Sequence, residues 1–133
     1  MKRFGLAVKA IIRDEQGRCL LVRRSAANRG FVGAWEWPGG KVDPGEDFAA
    51  ALVRELREEA GLEVELTGFA GATSVETAGG TLVLLFLEAR KTGGAVRLSE
   101  EHDAYEWTPM KELGTRPLPP RVGDFMIEYG ARA

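Results

Sequence analysis

The stretch from Trp35 to Leu62, WEWPGGKVDPGEDFAAALVRELREEAGL, constrains the fold more than any other part of the chain. Pro38-Gly39-Gly40 and Pro44-Gly45 mark tight turns, and from Glu46 or Asp47 the pattern becomes that of a helix lasting to Ala60. Gly61 stands where a helix stop belongs, because glycine enters the left-handed region without a side-chain penalty. At about 100° per residue, Ala49, Leu52, Val53, Leu56 and Ala60 share one side, while Glu55, Glu58 and Glu59 gather on a neighbouring side. One flank packs; the other presents clustered carboxylates.

Like charges three and four residues apart cost a helix roughly 0.2–0.5 kcal/mol per pair, and no lysine is spaced to relieve Glu55 or Glu59. A divalent cation offsets that cost. Glutamate oxygens one helical turn apart suit hard ions such as Mg2+, which bridges protein carboxylates to substrate phosphates. A solvated acidic face is the competing reading. The glycine turn favours the first, since it lets the backbone approach the helix closely and offer a carbonyl ligand or phosphate-facing amides.

The span Gly40 to Leu62 resembles the signature box of the Nudix hydrolases, Gx5Ex7REUxEExGU with U a bulky aliphatic residue. Gly40, Glu46, Arg54, Glu55, Leu56, Glu58, Glu59, Gly61 and Leu62 match it without a departure. The preceding WEWPGGK is similar to the WEFPGGK of the MutT-type branch. The resemblance implies an α/β fold, an αβα sandwich with a mixed β-sheet between helices. It implies Mg2+, with Mn2+ as a substitute, held by Glu55, Glu58, Glu59 and the Gly39 carbonyl. Glu55 would also orient or deprotonate water, and Arg54 would pair with a glutamate to fix its rotamer. Glu46 would anchor that arginine or the loop, with Gly40 and Gly61 structural. Family members recruit a further acid from a later loop, and Glu101 is the candidate here, from its distance to Glu106-Trp107; Glu100 is next. His102, the only histidine, reads as loop surface.

Length and composition set the frame. A chain of 133 residues, 44% hydrophobic, fits one domain over 1–133 with one core. A net charge of -2 argues against polymeric nucleic acid or a membrane surface as partner, because no basic excess exists to neutralise phosphates. A small-molecule nucleotide still fits. Cys19 alone rules out an internal disulfide framework, suits a reducing cytoplasm, and lies in the apolar run CLLV as a buried thiol. No leader peptide, spanning segment or repeat is visible in the sequence. The state expected is monomer or homodimer.

Along the chain, Phe4–Arg13 and Arg18–Arg23 read as an antiparallel hairpin across Asp14-Glu15-Gln16-Gly17. It ends at Arg23 and Arg24, whose forked donors suit substrate phosphates or plain solvation. Trp35 and Trp37 suit a core, or one of them a stacked base. Leu62–Glu76 reads as a strand bent at Gly68 and Gly71, LVLLFLEA as a strand covered on both faces, and Lys91–Gly94 as a turn. A short strand AYEWT, one helical turn from Met110 to Leu113 and a terminal helix from Val122 to Tyr129 follow.

The MutT resemblance implies a (deoxy)nucleoside triphosphate, oxidised or not, cleaved to the monophosphate and pyrophosphate. The family's base-reading asparagine has no counterpart in LPPRVGDF, which offers Asp124 for a base edge. Alternatives are hydrolysis of a nucleoside diphosphate sugar or of dihydroneopterin triphosphate, and a Nudix-like module that binds a nucleotide without cleaving it.

Overall fold

The computed structural model describes residues 3–133. Strands β1 (Phe4–Arg13), β2 (Cys19–Arg24), β3 (Trp35–Glu36) and β4 (Gly39–Val42) lead into helix α1 (Phe48–Ala60). Strands β5 (Leu62–Thr77), β6 (Gly80–Gly94) and β7 (His102–Thr108), a 3-10 turn at Met110–Thr115 and helix α2 (Val122–Arg132) complete the chain. One mixed sheet results, in the order β3-β2-β1-β6-β5, with β4 beside β1 and β7 beside β2. The β1–β6 pair is parallel along Phe4–Arg13, and the long β5–β6 pair is antiparallel.

Each face of the sheet has its own apolar layer, because successive side chains of a strand point to opposite sides. Val8, Ala10 and Ile12 of β1, with Leu20, Val22, Leu87 and Ala89, lie under Leu52, Leu56 and Ala60 of α1. Ala7 and Ile11, with Leu21, Trp37, Leu84 and Phe86, lie under Val122 and Met126 of α2 and under Met110 and Leu113 of the 3-10 turn. Helices on both faces give the expected αβα sandwich. LVLLFLEA divides between the layers as a doubly covered strand must.

The caps of α1 follow the sequence. The Asp47 carboxylate accepts the Ala50 N–H at 2.9 Å, and Gly61 closes the helix at φ 73° with its N–H directed to Arg57 and Leu56 carbonyls. Register shifts in β5 fall next to Gly68 and Gly71, where bends were expected.

The β1–β2 hairpin forms, antiparallel with Arg13 opposite Cys19 across the Asp14–Gly17 turn. Strand β4 pairs with the Leu6–Lys9 part of β1, while β2 also pairs with β3 and with β7. One expectation is corrected. Lys91–Gly94 is not a turn: β6 continues through it to pair with Leu62–Val64, its glycines serving to bring Gly94 flat against the backbone of Gly61.

Leu56 is fully buried between α1 and the sheet. Leu56→Ala should cost about 2–5 kcal/mol in chemical denaturation with the helix retained by circular dichroism.

Candidate active site

The geometry of the site begins at two glycines. At Gly39, φ is 154°, and a Cβ there would collide with the Val8 carbonyl oxygen of β1. At Gly40 a Cβ would stand 2.7 Å from the Glu55 carboxyl carbon. Lacking side chains, these residues let β4 lie against β1 on one side and receive Glu55 of α1 on the other. Sequence neighbours 15 positions apart thus meet at contact distance.

Arg54 organises the acidic ridge. Its guanidinium donates to Glu46 at 3.0 Å, to Glu58 at 3.1 Å and to Glu55 at 3.5 Å. Glu46 also accepts the Asp43 N–H at 2.9 Å, so it anchors both the arginine and the loop. Glu59 lies apart from this group, hydrogen-bonded by the Ser99 hydroxyl.

Glu101 comes to the same place from the other side. Burial pushes its carboxyl above the usual range, and the charge of Glu59 with a hydrogen bond between the two carboxyls pushes it further. Burial likewise raises Glu55; Arg54 pulls it down, while Glu59, Glu58 and Glu101 push it up. Four carboxylates from α1 and the Glu100-Glu101 loop therefore share one field, and proton affinity rises where their repulsion is least relieved. Among the described residues, no three acidic, histidine or cysteine side chains are drawn into a formed metal shell. The donor chemistry nonetheless fits a hard divalent cation: excess carboxylate oxygen, and a cradle at Gly40 that a Cβ would fill.

Behind Glu101 lies a group that the sequence did not announce. Glu36, only 5% exposed, receives Arg24 at 3.1 and 3.2 Å, His102 Nε2 at 3.0 Å and Lys9 at 3.7 Å. His102 is thus corrected from loop surface to a buried partner, 7% exposed. Burial alone would raise the Glu36 carboxyl, but Lys9, His102 and Arg24 outweigh it and hold it at about 2. A glutamate between two tryptophans in a short strand is the only trace of this cluster in the sequence.

The remaining candidates lie elsewhere. Trp37 is buried at 1% exposure and donates its indole N–H to Cys19 Sγ at 3.4 Å, so it has no free face for a base. Trp35 is half-buried on the α2 side, with the guanidinium groups of Arg23 and Arg116 5.7 and 5.9 Å from its ring centroid. Arg23 is paired with Asp103 at 2.7 Å, and Arg116, absent from the sequence reading, with Glu106 at 2.7 Å. Asp124 is exposed in the first turn of α2, across the sheet from the glutamates. Burial raises the Cys19 thiol, as the apolar run implied.

A depressed folded-state value means that Glu36 contributes stability in full above its ordinary value of 4.5 and loses it as pH falls toward about 2. The difference in unfolding free energy between wild type and Glu36→Gln should accordingly shrink by about 3 kcal/mol between pH 5 and pH 2. Urea titrations of both proteins across that range check it.

Residues 3–129 match the NUDIX domain family. Human 8-oxo-dGDP phosphatase NUDT18 is 37% identical over 137 residues, which is 98% of this chain but 40% of that protein. The CTP pyrophosphohydrolase of Escherichia coli K12 is 35% identical over 115 residues, 86% of this chain and 84% of the relative. The crystal structure of a MutT protein from Methanosarcina mazei Go1 superposes with a TM-score of 0.88 at 32% identity, covering 98% of this chain and 96% of that one. With an intact signature box on the fold that its relatives share, the chain belongs to the Nudix family.

Proposed function

We propose that residues 1–133 act as one domain that hydrolyses a nucleoside triphosphate to the monophosphate and pyrophosphate with a divalent cation, Mg2+ or Mn2+, in the cytoplasm. The observation that carries this reading is that Glu55, set against the Gly40 backbone, feels the charges of Glu58, Glu59 and Glu101, with Glu101 hydrogen-bonded to Glu59. These four carboxylates, with the Gly39 carbonyl, would hold the cation. When bound, it supplies positive charge to the phosphate oxygens and lowers the pKa of water at the site.

The chain's own groups do the rest. Arg54 holds Glu58 and Glu55 in place from its anchor on Glu46, so the ridge presents fixed oxygens. Glu55, pushed up by burial and like charge, is the group poised to take the proton of the attacking water. Arg24, paired with Glu36, and Arg23, paired with Asp103, are the arginines we assign to the substrate phosphates. Trp35 offers its half-buried ring for a base, and Asp124 the exposed acid at the α2 terminus.

A second reading draws on the similarity to a protein named as an 8-oxo-dGDP phosphatase. A nucleoside diphosphate would yield phosphate in place of pyrophosphate. Product identification in 18O-labelled water over a panel of nucleoside di- and triphosphates separates the two. A purely binding module would release neither product, and every box carboxylate that such a module could dispense with is present here.

Glu58→Gln should retain the fold, since Glu58 is solvent-facing, yet lower turnover by about two orders of magnitude or more. Unchanged turnover in that variant would remove Glu58 from the cation site. Gly40→Ala should displace the Glu55 carboxylate and weaken Mn2+ binding, read by electron paramagnetic resonance of the free ion.

A further inference from the structure

The loop that supplies Glu101 contains no regular structure of its own between Val96 and Glu101, so something else must fix the height at which its carboxylate meets Glu59. Three contacts do so from one side. Ser25 N–H donates to the Glu101 carbonyl at 2.9 Å, the Ser25 hydroxyl donates to the Glu100 carbonyl at 2.6 Å, and the Asn28 amide donates to the Glu101 carbonyl. These contacts hold the loop backbone to the segment after β2, while Ser99 N–H, donating to the Glu59 carbonyl, holds it to α1.

The next residue adds a side-chain hold on the Glu101 end. His102 begins β7 opposite Arg24, is sealed from solvent, and points its Nε2 at Glu36 Oε2 at 3.0 Å. Glu36 is ionised and accepts only, so the ring nitrogen facing it carries the proton. Among the described residues His102 Nδ1 has no hydrogen-bond partner, and there the bond to Glu36 is the ring's polar tether. Glu36 is itself immobilised by Arg24 and Lys9. A buried, multiply held carboxylate thus grips the residue adjoining Glu101.

Resting on the proposed cation site, we propose that His102, clamped on Glu36, is a positioning residue that holds Glu101 against Glu59 as a cation ligand. It acts through Glu101 and touches neither substrate nor cation. The Glu36–His102 contact links β3 to β7, so the two sides of β2 cooperate in setting one ligand.

The test is Mn2+ binding to the nucleotide-free protein, followed by electron paramagnetic resonance, in wild type, His102→Leu, His102→Gln, Glu101→Gln and the His102→Leu/Glu101→Gln double variant. His102→Leu, which keeps the apolar bulk but cannot donate, should weaken Mn2+ binding about tenfold, within the range found for outer partners of metal ligands. His102→Gln, which can donate to Glu36, should recover most of it. In the Glu101→Gln background, His102→Leu should have no further effect.

The proposal is overturned if His102→Leu binds Mn2+ like wild type, if it weakens binding equally in the Glu101→Gln background, or if wild type binds no Mn2+. Should His102→Leu fail to fold, His102→Met, which likewise cannot donate to Glu36, takes its place in the same cycle with the same expectations. In nucleotide hydrolysis the loss should fall on kcat, with KM unchanged; a change confined to KM would make His102 a substrate contact and overturn the positioning role. Wild type that binds Mn2+ but cleaves no nucleotide removes the proposed activity alone, while the binding cycle still decides the role of His102.

Discussion

The closeness of the β4 backbone to β1 and to Glu55 is the constraint on which the rest of the molecule depends. Two glycines remove the side chains that would hold these three segments apart. Their absence sets the distance between the turn and α1, and hence where a carbonyl and a carboxylate can face the same point. It also lets β4 pair with Leu6–Lys9 of β1, beyond the end where β2 joins that strand at Arg13–Cys19. The site and the place of β4 in the sheet are consequences of one steric allowance.

Electrostatics then divides the acidic residues into two groups with opposite character. Glu36 is surrounded by cations and stays ionised deep in the protein, which secures β3, β2 and β7 to one another. Glu55 and Glu101 are pushed toward protonation, first by burial and then by the carboxylates around them. Arg54 relieves part of this on the Glu46, Glu55 and Glu58 side, but Glu59 and Glu101 face each other with Ser99 as a neutral donor. Burying a charge without a partner is costly, so an arrangement of this kind is stable where a cation balances it.

Much of the fold was legible in the chain because its signals are local. Helix caps at Asp47 and Gly61, bends at Gly68 and Gly71, and a doubly covered β6 all follow from residues within a few positions of one another. The failures are failures of partner choice. Lys91–Gly94 carries turn residues, yet those glycines serve contact with Gly61, a neighbour only after folding. Trp35 and Trp37 look equivalent in sequence and share one face of the sheet, but Trp37 packs against Cys19 and Phe86 while Trp35, on the terminal strand β3, lies between two arginines.

The acidic ridge of α1 is a property of helical spacing that the order of amino acids was enough to specify, while the Arg54–Glu46 anchor was an implication of the family resemblance. The meeting of Glu101 with Glu59, the Ser99 bond and the burial of His102 on Glu36 join residues 40 to 66 positions apart. Only the sheet brings them together, because hydrogen bonding between β2, β3 and β7 sets their register. Charge and hydrogen-bond terms at that range depend on distance and on exclusion of water, neither of which exists before the chain has folded.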